Sequence, residues 1–292
     1  MKNVLAVEIG ALTGRLTLRD PPPALEAEIR RRFGRFLVCT PEAAAPCGLC
    51  LEVHFAEGNR GDTRPRLEVA PGRVQLAWRG AEAALTAVDG DAGSFQGWAR
   101  CRNSPYAFES LVRILWSELL PRTGGALFHA CGVQHGATGV LAAGVSGAGK
   151  STLARKMAAL DDEGVLSDEI VAIHRDPAQG DGAAGWRISG TPFHGDFGCG
   201  GTSPRSWPLA GIAFLEKAPH PVTERLSRAQ AVFRAVECLL CFSNDPLTTR
   251  RNLAVAVALC SQVPCFVSGS ALQTPAAAVL QAWAPHLAEA AG

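Results

Sequence analysis

The sequence has little excess charge of either sign, since 28 lysines and arginines stand against 27 aspartates and glutamates. A net charge near +1 provides no basic field of the kind that attracts nucleic acid or an anionic membrane surface. The chain also lacks an apolar run near the ~18 residues of a membrane span, and residues 4–7 are too few for a signal-peptide core. We therefore expect a cytoplasmic protein whose partner is neither a nucleic acid nor a membrane.

The ten cysteines are expected to be reduced and structural, because thiols stay reduced in the cytoplasm. Most would serve as buried apolar side chains. Two C-x-x-C pairs leave a four-thiolate zinc site open as an alternative: Cys47 with Cys50, and Cys238 with Cys241. The second pair lies in a helical pattern, where apolar residues at this spacing are ordinary core positions.

The most informative stretch, residues 144–151, reads Gly-Val-Ser-Gly-Ala-Gly-Lys-Ser and so has the pattern G-x-x-x-x-G-K-S. It follows an apolar run at 139–143 and precedes a helical pattern at 152–160, which is the context of a nucleotide-phosphate site. Glycines let such a loop curl so that its N–H groups point at phosphate oxygens, at the positive end of the next helix. The residues predicted to bind the nucleotide are Gly144, Ser146, Gly147, Ala148, Gly149, Lys150, Ser151 and Thr152.

Two kinds of side chain are expected to act on the bound nucleotide. Lys150 would reach the β- and γ-phosphates, and the Ser151 hydroxyl would ligate the Mg²⁺ that bridges them. An acidic pair, Asp168 and Glu169, comes one helix and one return strand later. One of these carboxylates could hold the metal or its water while the other accepts a proton from the attacking group. A solvated surface turn is the other interpretation of this pair.

The patterns of predicted strands and helices divide the chain into two units. Residues 1–103 form a small mixed, mostly β unit without a catalytic motif, and residues 104–292 form an α/β unit that carries the loop. No internal repeat is present. Predicted strands cover residues 4–8, 15–18, 50–55, 66–70, 74–78, 126–133, 139–143, 165–167, 170–174, 211–215 and 265–268. Predicted helices cover 25–33, a segment from 104 that stops at Pro121, 152–160, 228–241, 248–261 and the residues from 275 onward.

Three further residue groups admit two interpretations each. His129 lies inside an apolar strand pattern, where a lone histidine is usually a core residue. The segment 191–198, with His194 and Asp196, is either an acceptor-side loop or a structural turn rich in glycine and proline. Arg205 either supplies charge to a phosphoryl-transfer transition state or is a surface residue, and the second interpretation is favoured.

Residues 128–174 resemble the catalytic core of the bacterial HPr kinase/phosphorylase family and its shorter relatives, some of which are encoded in ribosomal-peptide biosynthesis clusters. In that family a histidine begins the strand before the phosphate loop, which corresponds to His129, and an acidic pair follows the loop helix, which corresponds to Asp168 and Glu169. Looser similarity extends over roughly residues 105–285 and includes ISGTPFHGDFG, PLAGIAFLEKA, LSRAQAVFRAV and VPCFVSGS.

The resemblance implies a phosphoenolpyruvate-carboxykinase-like variant of a P-loop core. The implied activity is ATP-dependent transfer of the γ-phosphoryl group to a serine hydroxyl of a peptide or small protein, with Mg²⁺. By position, Asp168 would be the catalytic base, and His129 would interact with the acidic pair or the phosphates. Lys150 would act on the phosphates, and Ser151 and Glu169 would lie beside the metal.

Two departures from the family pattern stand out. The second acid is Glu169 rather than aspartate, which lengthens the side chain by one methylene and puts its metal role in doubt. The family's E-x-R-G segment aligns with residues 187–190, Arg-Ile-Ser-Gly, so its carboxylate is missing. The missing carboxylate argues against a reverse, phosphorylase-type reaction.

Two other functions remain open alongside the serine kinase. The first is a regulatory or assembly protein that binds nucleotide without transferring phosphate, which the two departures favour. The second is a small-molecule kinase on the same core, which a deep polar acceptor pocket would favour. The sequence names neither the acceptor nor the choice of ATP over GTP, and a homo-oligomer stays open as well.

Overall fold

The computed structural model describes residues 3–38, 48–57, 62–88, 93–161, 164–176, 185–193, 195 and 205–287. The chain separates into two compact units, Met1–Thr123 with Cys241–Arg250, and Gly124–Leu240 with Arg251–Gly292. Residues 104–123, which the sequence grouped with the second unit, are assigned to the first by this division. Both units combine helices with a mixed sheet, so the predicted α/β class is confirmed.

The described part of the first unit is built on a seven-stranded sheet. Its strands are β1 (Val4–Ile9), β2 (Leu12–Arg19), β3 (Leu49–Ala56), β4 (Arg66–Ala70), β5 (Arg73–Trp78), β6 (Ala81–Ala87) and β7 (Phe95–Arg102), in the spatial order β1-β2-β3-β7-β6-β5-β4. The adjacent strands β2, β3 and β7 run parallel. The other neighbouring strands are antiparallel.

Two helices, α1 (Pro23–Phe33) and α2 (Pro105–Leu119), belong to the same unit. The predicted apolar spacing of α1 is confirmed, since Leu25, Ile29 and Phe33 are all buried. In strand β2 every second residue is buried, the three leucines and Gly14, while the residues that alternate with them are partly buried or exposed. This alternation is typical of a sheet with one buried and one solvated face.

The second unit contains eight strands among its described residues. They are β8 (Ala126–His135), β9 (Thr138–Ala143), β10 (Val165–Ser167), β11 (Ile170–Arg175), β12 (Trp186–Ser189), β13 (Ser206–Lys217), β14 (Val222–Arg225) and β15 (Cys265–Ser270). Strand β8 pairs with three neighbours, using residues 126–129 for β11, residues 130–135 for β9 and residues 132–133 for β10. Strands β9, β13 and β15 are parallel, so their carboxyl ends lie at one edge of the sheet.

The helices α3 (Lys150–Ala158), α4 (Arg228–Cys238), α5 (Pro246–Gln262) and α6 (Ala276–Leu287) complete the described fold. The second unit has two apolar cores, which share strand β9: Leu141 belongs to one core and Val140 to the other. This follows from the alternation of side chains along a strand. None of the helices among the described residues is both long and apolar enough to cross a membrane.

Most predicted elements are confirmed within a few residues, and the differences have local causes. Helix α3 begins at Lys150 rather than Thr152, which places the loop lysine and Ser151 in its first turn. Strands β6, β7, β12 and β14 were not predicted. Strand β6 reads AEAALTA, and its alanines lack the β-branched or aromatic side chains that indicate a strand.

Candidate functional site

The glycine-rich loop, residues 144–149, joins the carboxyl end of β9 to the first residue of α3. Gly147 and Gly149 have φ angles of 81° and 111°, which side chains other than glycine rarely adopt. Gly149 is the N-cap of α3, and it has no side chain to accept hydrogen bonds from the first N–H groups of the helix. The first backbone N–H groups of α3 therefore have no side-chain cap. They lie at the positive end of the helix dipole, where an anion is stabilised.

Close packing at the base of the loop requires glycine at one further position. A Cβ atom on Gly144 would lie 2.8 Å from the Ala148 Cβ and 3.2 Å from the carbonyl oxygen of Leu215. Leu215 belongs to β13, the parallel neighbour of β9. The loop is thus held tightly against the adjacent strand end, which fixes its curl.

The side chain of Lys150 folds back beneath the loop. Its ammonium donates hydrogen bonds to the carbonyl oxygens of Gly144 at 2.7 Å and Val145 at 3.2 Å, and the residue is only 7% exposed. Burial lowers the pKa of this ammonium, and nearby side chains that include Cys238 and Glu169 oppose the shift. A partly desolvated cation at the start of a helix interacts strongly with any phosphate that enters the loop.

The predicted acidic pair lies at the tight connection between β10 and β11. The Ser167 hydroxyl accepts hydrogen bonds from the backbone N–H groups of Glu169 at 3.4 Å and Ile170 at 3.2 Å, which orders the turn. The carbonyl oxygen of Glu169 accepts from the Ala130 N–H at 2.9 Å, which ties the turn to β8. Asp168 is 3% exposed and Glu169 is half-buried, so the pair is not the solvated surface turn that was the other interpretation.

The position of His129 corrects a sequence-based interpretation. The residue pattern favoured a buried core histidine, but the side chain is exposed although its neighbours Phe128 and Ala130 are fully buried. Strand alternation directs residue 129 away from the core that contains residues 128 and 130. Leu127 and Cys131 on the same face are buried, so the exposure is local to residue 129. His129 is paired in register with Ile170, the residue after the acidic pair.

One cleft of about 340 Å³ brings the predicted residues together. Its lining consists of His129, Ser146, Gly147, Gly149, Lys150, Ser151, Thr152, Asp168, Glu169 and Gly195. We call this cavity the acidic cleft. Two residues predicted to bind the nucleotide, Gly144 and Ala148, do not line it and instead pack against each other at the base of the loop. The acidic cleft combines the N–H groups at the start of a helix, a lysine, three hydroxyls, a histidine and two carboxylates, which suits a phosphate ester with a divalent cation.

Gly195, which the sequence did not single out as a site residue, packs directly against the acidic pair. A Cβ on Gly195 would lie 2.7 Å from Asp168 Oδ2 and 2.9 Å from Glu169 Cβ. The neighbouring His194 and Asp196, proposed for an acceptor-side loop, lie outside the described residues. A glycine in a segment rich in turn residues is expected on local grounds alone. The sequence therefore gave no sign that Gly195 lies close to a carboxylate far away in the chain.

Other candidate residues lie away from the acidic cleft. Arg187, at the position aligned with the missing family carboxylate, donates to Asp176 at 3.0 Å and to the Ser206 hydroxyl at 2.7 Å. Arg205 is exposed and does not line the cleft.

The zinc alternative has no counterpart in the described part of the chain. Cys47 lies outside it, while Cys238 is buried at the end of α4 and Cys241 is exposed beyond that end. No group of three or more histidine, cysteine, aspartate or glutamate side chains placed to hold a metal is found among the described residues.

The packing of Gly195 gives a first testable prediction. We expect Gly195→Ala to displace the acidic pair, because the added methyl would overlap Asp168 Oδ2. Any activity that needs these carboxylates should fall about tenfold or more, in keeping with the cost of a displaced reacting group. Gly34→Ala is the matched control, since a Cβ there meets nothing within 4 Å. Full activity of a folded Gly195→Ala protein would show that the position of the pair is unimportant.

Comparisons with known proteins assign no family to the chain. No protein-family model matches the sequence, and no curated protein is significantly similar to it. The function is therefore argued from the geometry of the acidic cleft.

Proposed function

We propose that this protein is an ATP-dependent kinase that transfers the γ-phosphoryl group to a serine hydroxyl of a peptide or small protein. The observation that carries the proposal is the meeting of Lys150, Asp168 and Glu169 around one cleft at the start of α3. The resemblance to the HPr kinase/phosphorylase family supports it, with the phosphoenolpyruvate-carboxykinase-like P-loop core that this family implies.

The residues of the acidic cleft fit a magnesium nucleotide. The loop N–H groups and the Lys150 ammonium would hold the β- and γ-phosphates, and Ser151 with Glu169 would hold Mg²⁺. When bound, Mg²⁺ would neutralise part of the negative charge on the phosphates. Glu169 is the more exposed of the two acids, so its carboxylate would be the one accessible to a metal bound with the phosphates.

In this proposal Asp168 is the general base. Its carboxylate would accept the proton of the serine hydroxyl as the hydroxyl oxygen forms a bond to the γ-phosphorus and the bond to the β–γ bridging oxygen breaks. ADP then leaves with the bridging oxygen. His129 is exposed and lines the same cleft, where its imidazole would orient the acidic pair or contact the transferred phosphoryl group.

The direct test incubates the protein with Mg²⁺ and ATP labelled at the γ-phosphate, together with serine-containing peptides and proteins from the source cell. We expect label on serine of one acceptor. Label on a small metabolite instead would favour the small-molecule kinase. Tight ATP binding without label on any acceptor would contradict a kinase of either type.

One observation favours a regulatory nucleotide-binding protein as the second candidate. Arg187 occupies the position of the family's missing carboxylate, and a guanidinium, which stays protonated and only donates hydrogen bonds, cannot replace a metal ligand. A protein of this type would bind nucleotide in the same loop and would hydrolyse or transfer none of it. The labelling experiment separates the two functions.

A further inference from the structure

A second cavity, of about 640 Å³, adjoins the glycine-rich loop. Gly147, Gly149 and Thr152 line both this cavity and the acidic cleft. Its other walls come from the second half of α3, the carboxyl ends of β13 and β15, the segment after β15, and α6. Ligands of open α/β sheets bind at the carboxyl ends of parallel strands, which is where this cavity lies.

The walls of this second cavity are largely apolar. Leu153, Leu215 and Val279 form its interior, and Leu272 at its rim is 74% exposed, which is unusual for a leucine. Exposed leucine beside a concave apolar surface is typical of a ligand site.

Three of the polar side chains that line the same cavity are engaged within the protein, and the exposed Lys217 and the partly buried Ser270 line it as well. The Lys156 ammonium donates to the carbonyl oxygens of Thr274 at 2.7 Å and Ala271 at 3.5 Å, which holds the segment after β15 in place. The Ser268 hydroxyl accepts from the indole N–H of Trp283 at 2.7 Å. The Glu216 carboxylate is paired with Arg234 at 2.6 Å. The cavity therefore offers chiefly apolar surface to a ligand.

The two cavities differ in polarity, and this difference favours one orientation of a bound nucleotide. The acidic cleft contains Asp168, Glu169 and Lys150, and burying an apolar ring against charged groups would remove their hydration without replacing it. In the second cavity apolar side chains predominate, and the charges of Lys156 and Glu216 already have partners in the protein. The uncharged end of a ligand whose phosphates lie in the shared loop is therefore better accommodated in the second cavity.

We propose that the second cavity binds the base and ribose of the nucleotide, so that the γ-phosphoryl group points into the acidic cleft and the acceptor approaches from that side. This inference rests on the proposed function, because it requires phosphates in the glycine-rich loop. The base is held through its faces by Leu215, Leu272 and Val279. The chemical class of the ligand is thus a nucleoside triphosphate rather than a phosphorylated sugar or inorganic polyphosphate.

The test compares ATP with inorganic tripolyphosphate, which has the phosphates but no base, by isothermal titration calorimetry in the presence of Mg²⁺. Two variants, Ala271→Trp and Ala218→Trp, fill the cavity from positions that are only partly buried. We expect ATP to bind each variant about 10- to 100-fold more weakly, the range that a lost base contact produces. We expect tripolyphosphate to bind the wild type and every variant with the same affinity. Ala277→Trp is the control, since this exposed α6 residue does not line the cavity.

The outcomes separate the base assignment from the proposed nucleotide-dependent function. Weaker ATP binding with unchanged tripolyphosphate binding supports the assignment of the base. Unchanged ATP binding in both filled variants, with thermal unfolding showing them folded, overturns it and leaves the phosphate site intact. Wild-type protein that binds ATP no more tightly than tripolyphosphate also overturns it. Failure of the wild type to bind either ligand overturns the proposed function, and the base assignment with it.

Discussion

Lys150→Ala is expected to abolish phosphoryl transfer and to weaken ATP binding about 10- to 100-fold, the value of a lost hydrogen bond to a charged group. The reason is that Lys150 provides an ammonium directly beneath the loop, held on the carbonyl oxygens of Gly144 and Val145. Removing a partly desolvated cation should leave the fold intact. Titration with a fluorescent ATP analogue and thermal unfolding measure the two effects.

The matched control for this variant is Arg155→Ala. It removes the same charge from the same helix, but Arg155 is exposed and lines neither the acidic cleft nor the second cavity. We expect its ATP affinity to equal that of the wild type. Equal affinity and turnover for the Lys150→Ala protein would refute the assignment of the glycine-rich loop as a nucleotide site.

Asp168→Asn is expected to lower the rate of phosphoryl transfer by roughly 10²- to 10⁴-fold, as the loss of a general base does. The amide keeps the shape of this buried side chain, so the packing against Gly195 and most of the nucleotide binding should survive. Single-turnover kinetics with labelled ATP measure the chemical step separately from binding. The rate should stay low at every Mg²⁺ concentration.

A metal role for Asp168 would give a different result in the same assay. If this carboxylate mainly held Mg²⁺, the variant would need more metal for half-maximal rate, and added Mg²⁺ would restore much of the activity. Glu169→Gln provides the comparison, because we expect metal dependence to change in that variant instead. Asp161→Asn, at an exposed residue after α3, controls for the loss of one negative charge.

The sequence alone indicated the parts of the site whose geometry is local. The positions of the glycines, the following lysine and the apolar run of β9 depend on residues close together in the chain, and the structure contains the predicted strand, loop and helix there. The burial of Leu25, Ile29 and Phe33 in α1 was predictable for the same reason, since helical spacing is a local property.

Tertiary structure alone decided which of these parts meet. Strand β8 pairs with β9 on one stretch and β11 on another, and this pairing brings His129 beside the acidic pair and both beside the loop. The exposure of His129 and the close approach of Gly195 to Asp168 depend on strand register and on backbone distances between residues far apart in sequence. The second cavity likewise needs the ends of β13 and β15 in one place. Local patterns determine helices, strands and loops, whereas long-range strand pairing determines where their side chains converge.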